Sequence, residues 1–123
     1  TQTRLRPVLV AHANHPREID PTVQSALHRL AAAGVLLLNQ AVLLRGVNDA
    51  VETLAALSET LFAARVLPYY LHLLDPVRGA AHFDVNEAEA SVIMKALRQR
   101  LPGYLVPRLV RERPGQPAKT PAG

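Results

Sequence analysis

Apolar positions along this chain come in two alternating forms. Some are short unbroken runs, and others recur every three or four residues over longer stretches. An unbroken apolar run suits a strand buried on both faces, and the recurrence suits an amphipathic helix. Residues 7–10 (PVLV) are the first run and open into a polar loop, AHANHP. Asp20, Pro21 and Thr22 signal a helix start, with aspartate as N-cap and proline at the first helical position. Val23, Ala26, Leu27, Leu30 and Ala31 share one face of that helix, and Gly34 stops it. Residues 35–38 (VLLL) predict the next strand, with Asn39 and Gln40 expected where it opens into its loop. A turn at Gly46, Asn48 and Asp49 leads to a second helix, capped by Asn48 or Asp49, with Val51, Leu54, Ala55, Leu57, Leu61 and Phe62 inward. Residues 68–75 (PYYLHLLD) predict a strand that ends in a carboxylate. Asn86 caps a third helix with Ala90, Ile93, Met94 and Leu97 inward, and Pro102 and Gly103 break it. Residues 104–110 (YLVPRLV) are the last predicted strand.

The order is therefore β-α-β-α-β-α-β, an α/β fold in which helical crossovers make the strands parallel. It reads as part of a TIM-like (β/α) barrel or as an open parallel sheet. So few units cannot close a barrel, and bare strand edges would be a liability. The missing neighbours are expected from the rest of a longer protein or from another copy of the chain, so a homo-oligomer is expected. The opening TQTRLRPVLV has no initiator methionine and runs into a strand almost at once, as a fragment would. Residues 1–110 form the β/α units, and residues 111–123 form a proline- and glycine-rich tail, a loop or a disordered end.

Composition narrows the classes of function. The formal charge is +4, which raises nucleic acid as a partner. The arginines are dispersed, however, Lys95 and Lys119 are the only lysines, and 4% aromatic residues are too few for a stacking platform. Nucleic-acid binding is therefore set aside. Without cysteine, the chain can hold no disulfide, thiolate metal site or cysteine nucleophile. No apolar run is long enough to span a bilayer and no signal peptide is evident, so no membrane partner and a cytoplasmic location are expected.

Catalytic groups of a parallel sheet gather at the C-terminal ends of its strands. The polar residues there are His12, Asn14 and His15; Asn39, Gln40 and Arg45; Asp75 and Arg78; and Glu112 with Lys119 further on. His12 and His15 have a spacing seen in metal sites, but no third ligand is evident; the alternative is loop histidines bonded to backbone. Gln40 either meets a ligand or satisfies a strand end. Asp75 either serves a site or pairs with Arg78 or caps a helix. Tyr69 and Tyr70 read as packing rather than as a cofactor stack. Lys119 is a solvated tail lysine unless the tail folds over the strand ends, where its amine could form a Schiff base with an aldehyde cofactor.

Taken together, HANHPREID, AGVLLLNQAVLLRGVND, RVLPYYLHLLDPVRGAAHF and PGYLVPRL followed by PGQPAKTP resemble the lysine 2,3-aminomutases, in order and over nearly the whole chain. These are radical S-adenosylmethionine enzymes that also use pyridoxal phosphate. The wording LHLLDPVRGAAHF is closest to the bacterial branch that makes (R)-β-lysine for elongation factor P. The resemblance implies the C-terminal part of such a barrel, acting on L-lysine with pyridoxal phosphate, S-adenosylmethionine and a [4Fe-4S] cluster. It implies that Lys119 holds pyridoxal phosphate, that Asp75 grips the distal ammonium of the substrate, and that Glu112 stands where other members have a second carboxylate. It places His12 and Gln40 near S-adenosylmethionine. Charge-assisted hydrogen bonds from the Asp75–Glu112 pair to the distal ammonium would set the substrate length. The cluster motif, CxxxCxxC, is absent, as are the family's arginines for the cofactor phosphate and the substrate carboxylate; on this reading the fragment alone is inactive. Gly115-Gln116-Pro117-Ala118 stands in for a more glycine-rich approach to the lysine. Ala50 stands where some relatives have a zinc-binding cysteine, so no metal ligand is expected in this chain. The competing reading is a non-catalytic α/β module for ligand binding or assembly.

Overall fold

A computed structural model describes residues 6–73, 85–111 and, as backbone, 120–121. One mixed sheet is flanked by helices in the order β1 (Val8–Ala11), α1 (Pro21–Ala32), β2 (Leu36–Leu43), α2 (Val51–Ala63), β3 (Leu67–Leu73), α3 (Glu87–Arg100), β4 (Arg108–Arg111) and β5 (Thr120–Pro121). Strands β1 to β4 lie side by side in chain order and pair in parallel, and β5 joins β4 antiparallel. Sequential order with a helix in every crossover is the arrangement of a barrel wall. A doubly wound sheet would reverse its strand order part-way.

Each helix begins and ends for a local reason. Asp20 accepts the Val23 N–H and Pro21 opens α1. Asn86 and Glu89 close a capping box at α3, each accepting the other's backbone N–H. Helix α1 ends at Gly34, whose φ of 94° allows the Val35 N–H to return to the Leu30 carbonyl. Helix α2 ends in the same motif with a non-glycine residue: Arg65 has φ 67°, and the Val66 N–H returns to Leu61. The cap expected at α2 is not used. Its N-cap is Ala50, without a side-chain bond, because Asp49 accepts the Gly46 N–H and Asn48 is drawn into the sheet's rim.

The core lies on one face of the sheet. Leu37, Ala41 and Leu43 of β2, Leu71 and Leu73 of β3 and Leu109 of β4 are buried against Leu54, Leu57 and Leu61 of α2 and Ala90, Met94 and Leu97 of α3. The other face is open: Val8 is 53% exposed, Val10 38% and Leu67 36%. In a closed barrel that face is the interior. Strand β1 is an edge of the sheet among the described residues, and α1, which packs over β2, buries only Leu27 and leaves Leu30 exposed. Phe62, read as inward, is 45% exposed and packs on Tyr104 instead. Residues 103–105 are a short 3-10 turn, so the last parallel strand starts later than the apolar run suggests.

Strand β2 continues through the second apolar piece to Leu43. Asn39 and Gln40 therefore sit inside it, not at its end. The pairing steps from Asn39↔Pro68 to Gln40↔Tyr70, which leaves Tyr69 as an extra, bulged residue of β3. The bulge turns Tyr69 outward and returns Tyr70 and His72 to the open face beside Gln40.

Candidate active site

Three asparagines organise the rim at the C-terminal ends of β1 and β2. Asn39 is 2% exposed, and its side chain accepts the Ala13 N–H at 2.9 Å and donates to the Ala13 carbonyl at 3.0 Å. A buried amide is tolerated in the core because both its polar atoms are bonded. Asn14 accepts the Val42 N–H at 2.9 Å. Asn48 accepts the Leu44 N–H and donates to the carbonyls of Asn14 and Val42, all at 2.8 to 2.9 Å. The loop after β1 is thereby pinned to β2 and to the turn that follows it.

This brace positions the sequence-predicted histidines. His15 caps the short 3-10 turn Pro16–Glu18 through Nδ1, which accepts the Arg17 N–H at 3.2 Å. It therefore behaves as a loop histidine bonded to backbone. His12 follows β1 and is exposed. Among the described residues no group of three metal-ligating side chains converges. Ala11 pairs with Asn39, so His12 and Gln40 each come one residue after the same rung of the sheet.

On the open face Gln40 meets a residue that sequence reasoning passed over. His72 Nε2 lies 3.2 Å from Gln40 Oε1, and the ring of Tyr70 stands edge-on to His72 at 5.8 Å. The signal was present in YLHLL, a polar residue amid an apolar strand. Tyr69 packs on Tyr70 at 4.5 Å but is 48% exposed, outside the core.

The far side of the rim is held by ions. Arg45, just past β2, bonds Glu89 at 2.7 Å, and Arg111, the last residue of β4, pairs with Glu87. Two strand ends are thereby tied to the first turn of α3, where acidic residues also favour the helix dipole. The hydrogen bond from Arg45, then that from the Asn86 N–H, holds the Glu89 carboxyl below its ordinary value of 4.5.

Asp75, Arg78, Glu112 and Lys119 lie outside the described residues. Their described neighbours share one level of the sheet. Leu73 of β3 pairs with Arg111 of β4, and Arg111 pairs with Thr120 of β5.

Sequential parallel β/α units with their polar groups on one strand-end rim and one open face define a segment of a (β/α) barrel. No family model matches the chain. Curated relatives do. It is 53% identical over 119 residues (97% of the chain) to L-lysine 2,3-aminomutase from Haemophilus influenzae. It is 54% identical over 120 residues (98%) to the Escherichia coli protein of the same name, and 43% identical over 113 residues (92%) to that from Clostridium subterminale. The chain spans 35% of the length of the first two and 27% of the third. By this similarity the chain belongs to the lysine 2,3-aminomutase family, as the motifs indicated, and corresponds to about a third of a member's length.

Proposed function

We propose that this chain is the C-terminal part of a lysine 2,3-aminomutase, which converts L-α-lysine to β-lysine by moving the amino group from Cα to Cβ. One observation carries the reading. Leu73, Arg111 and Thr120 pair in one row across β3, β4 and β5, and in sequence they flank Asp75, Glu112 and Lys119. Asp75 comes two residues after Leu73, Glu112 one after Arg111, and Lys119 one before Thr120. In this reading Asp75 and Glu112 accept hydrogen bonds from the distal ammonium of the substrate, and Lys119 holds pyridoxal phosphate. Two carboxylates at a fixed distance from the cofactor select for the length of lysine, since a shorter diamine leaves them unpaired.

His12 and Gln40 take the S-adenosylmethionine side. The described donor set fits part of such a ligand: Gln40, Tyr70 and His72 offer hydrogen-bonding groups beside the aliphatic Leu38 and Val42, an apolar floor with a few converging polar groups. The chain has no cysteine, so it offers the iron–sulfur cluster no thiolate. When bound, pyridoxal phosphate and S-adenosylmethionine supply the radical chemistry; this chain's residues bind and orient. For the product we propose use in modifying elongation factor P, as the wording of residues 71–83 suggests.

The test is Asp75→Ala in the protein that carries this chain. Lysine turnover should fall at least a hundredfold, about 3 kcal/mol of lost binding to a charged group, while pyridoxal phosphate absorbance persists. Unchanged turnover would refute the substrate role, and loss of cofactor would move Asp75 to the cofactor site.

A further inference from the structure

We propose that His72 is a positioning residue: it orients the Gln40 amide so that Gln40 presents its nitrogen as a hydrogen-bond donor to S-adenosylmethionine. This rests on the reading that Gln40 lies on the side of that cofactor. A glutamine side chain ends in a broad, two-fold torsion, so an unheld amide offers its oxygen or its nitrogen to a ligand almost equally. The imidazole resolves that ambiguity when its Nε2 carries the hydrogen, the tautomer this proposal assigns to His72, because Gln40 Oε1, at 3.2 Å, can only accept. With its oxygen engaged, the amide turns its NH2 away from His72.

The sheet makes this arrangement stiff. Val42 pairs with His72 and Gln40 with Tyr70, so Gln40 and His72 are diagonal neighbours across β2 and β3, within reach of long side chains. Both are half-buried, and the Tyr70 ring at 5.8 Å supports the imidazole from the edge. The bulge at Tyr69 sets this register; without it His72 would face the helices. Apart from Tyr69 at the bulge, the other described residues of β2 and β3 on the open face are aliphatic: Leu36, Leu38, Val42 and Leu67. A ligand lying across β2 and β3 therefore finds its hydrogen-bonding groups around Gln40, with Arg108 of β4 paired beside Tyr70, and a donor suits its ribose or carboxylate oxygens.

The experiment is a calorimetric titration of S-adenosylmethionine into the protein that carries this chain. It uses the wild type, His72→Phe, Gln40→Ala, the double variant and His72→Gln. His72→Phe keeps a ring but removes the donor, and should weaken binding about 5-fold, the worth of one hydrogen bond. His72→Gln places an amide nitrogen near the former Nε2 and should restore most of the affinity. In the Gln40→Ala background His72→Phe should cost nothing further, because its effect passes through Gln40. A purely structural role predicts no rescue by glutamine and an undiminished loss in the double variant, and either result overturns the proposal. Wild-type binding by His72→Phe overturns it as well, and His72→Leu repeats that arm should the phenylalanine variant not fold. If Gln40→Ala alone binds normally, the placement of Gln40 beside the cofactor is wrong and this inference falls with it.

Discussion

With Asn48, Asn39 is one of two sealed asparagines of the rim, and its loss should carry a large cost. Replacing it with alanine removes the acceptor of the Ala13 N–H and the donor to the Ala13 carbonyl, bonds of 2.9 and 3.0 Å. Both residues are nearly sealed from water, at 2% and 5% exposure. Each buried backbone group left unpaired costs about 1–3 kcal/mol. The loop lies at the rim, where water can reach a loosened backbone, so the two together should cost about 2–4 kcal/mol, towards the lower half of their summed range. Asn39→Leu separates this from a cavity effect. Leucine has the branched heavy-atom outline of asparagine with bulkier methyl ends, so it empties no space and belongs by polarity among Leu37, Ala41 and Leu43, yet it leaves the same two groups orphaned. Both variants should lower the denaturant midpoint to a similar degree with an unchanged slope. Hydrogen exchange at the Ala13 amide should accelerate in both. A leucine variant within about 0.5 kcal/mol of the wild type, the size of an ordinary surface change, would refute the reasoning.

Other consequences concern the helix ends. Arg65 holds a left-handed conformation at φ 67°, which costs a residue with a side chain about 1–2 kcal/mol that glycine avoids. Arg65→Gly should raise the melting temperature by a few degrees, and a fall would show that the Arg65 side chain contributes more than its backbone costs. Glu89 has a lowered carboxyl value in the folded state, so its contribution is whole above its ordinary 4.5 and is lost as pH falls through the lowered value. Protection of the first-turn amides of α3, taken relative to the intrinsic exchange rate at each pH, should therefore fall on acidification below that point, and Glu89→Gln should show low protection at neutral pH and lose the pH step. A step that survives in Glu89→Gln would assign it to another group. At high salt the exposed Arg45–Glu89 contribution should shrink.

Much of the architecture was legible because burial and periodicity follow one physical cause. Leu54, Leu57 and Leu61, or Ala90, Met94 and Leu97, recur at helical spacing because one side of each helix meets the sheet. Asp20 and Asn86 were legible as caps because short polar side chains before an amphipathic stretch have few better uses. What stayed hidden depends on partners distant in sequence. The amide pair looked like a strand end because burying asparagine is costly; that cost is offset by Ala13, 26 residues away. Asn48 was drawn from the helix cap by Asn14, 34 residues away. The bulge at Tyr69 is a property of two strands together, so His72 could not be placed on the face of Gln40 from either strand alone. Leu30 and Phe62 escaped the periodicity because α1 buries only Leu27 and Phe62 meets Tyr104 outside the core. For the site, the motifs named Asp75, Glu112 and Lys119, and the strand register shows that their described neighbours share one row.

The most direct measurement is the absorbance and lysine turnover of Lys119→Ala in the protein that carries this chain. The expected result is loss of the pyridoxal phosphate absorbance held by the lysine, together with loss of β-lysine formation. Retained absorbance and undiminished β-lysine formation would contradict the assignment of Lys119.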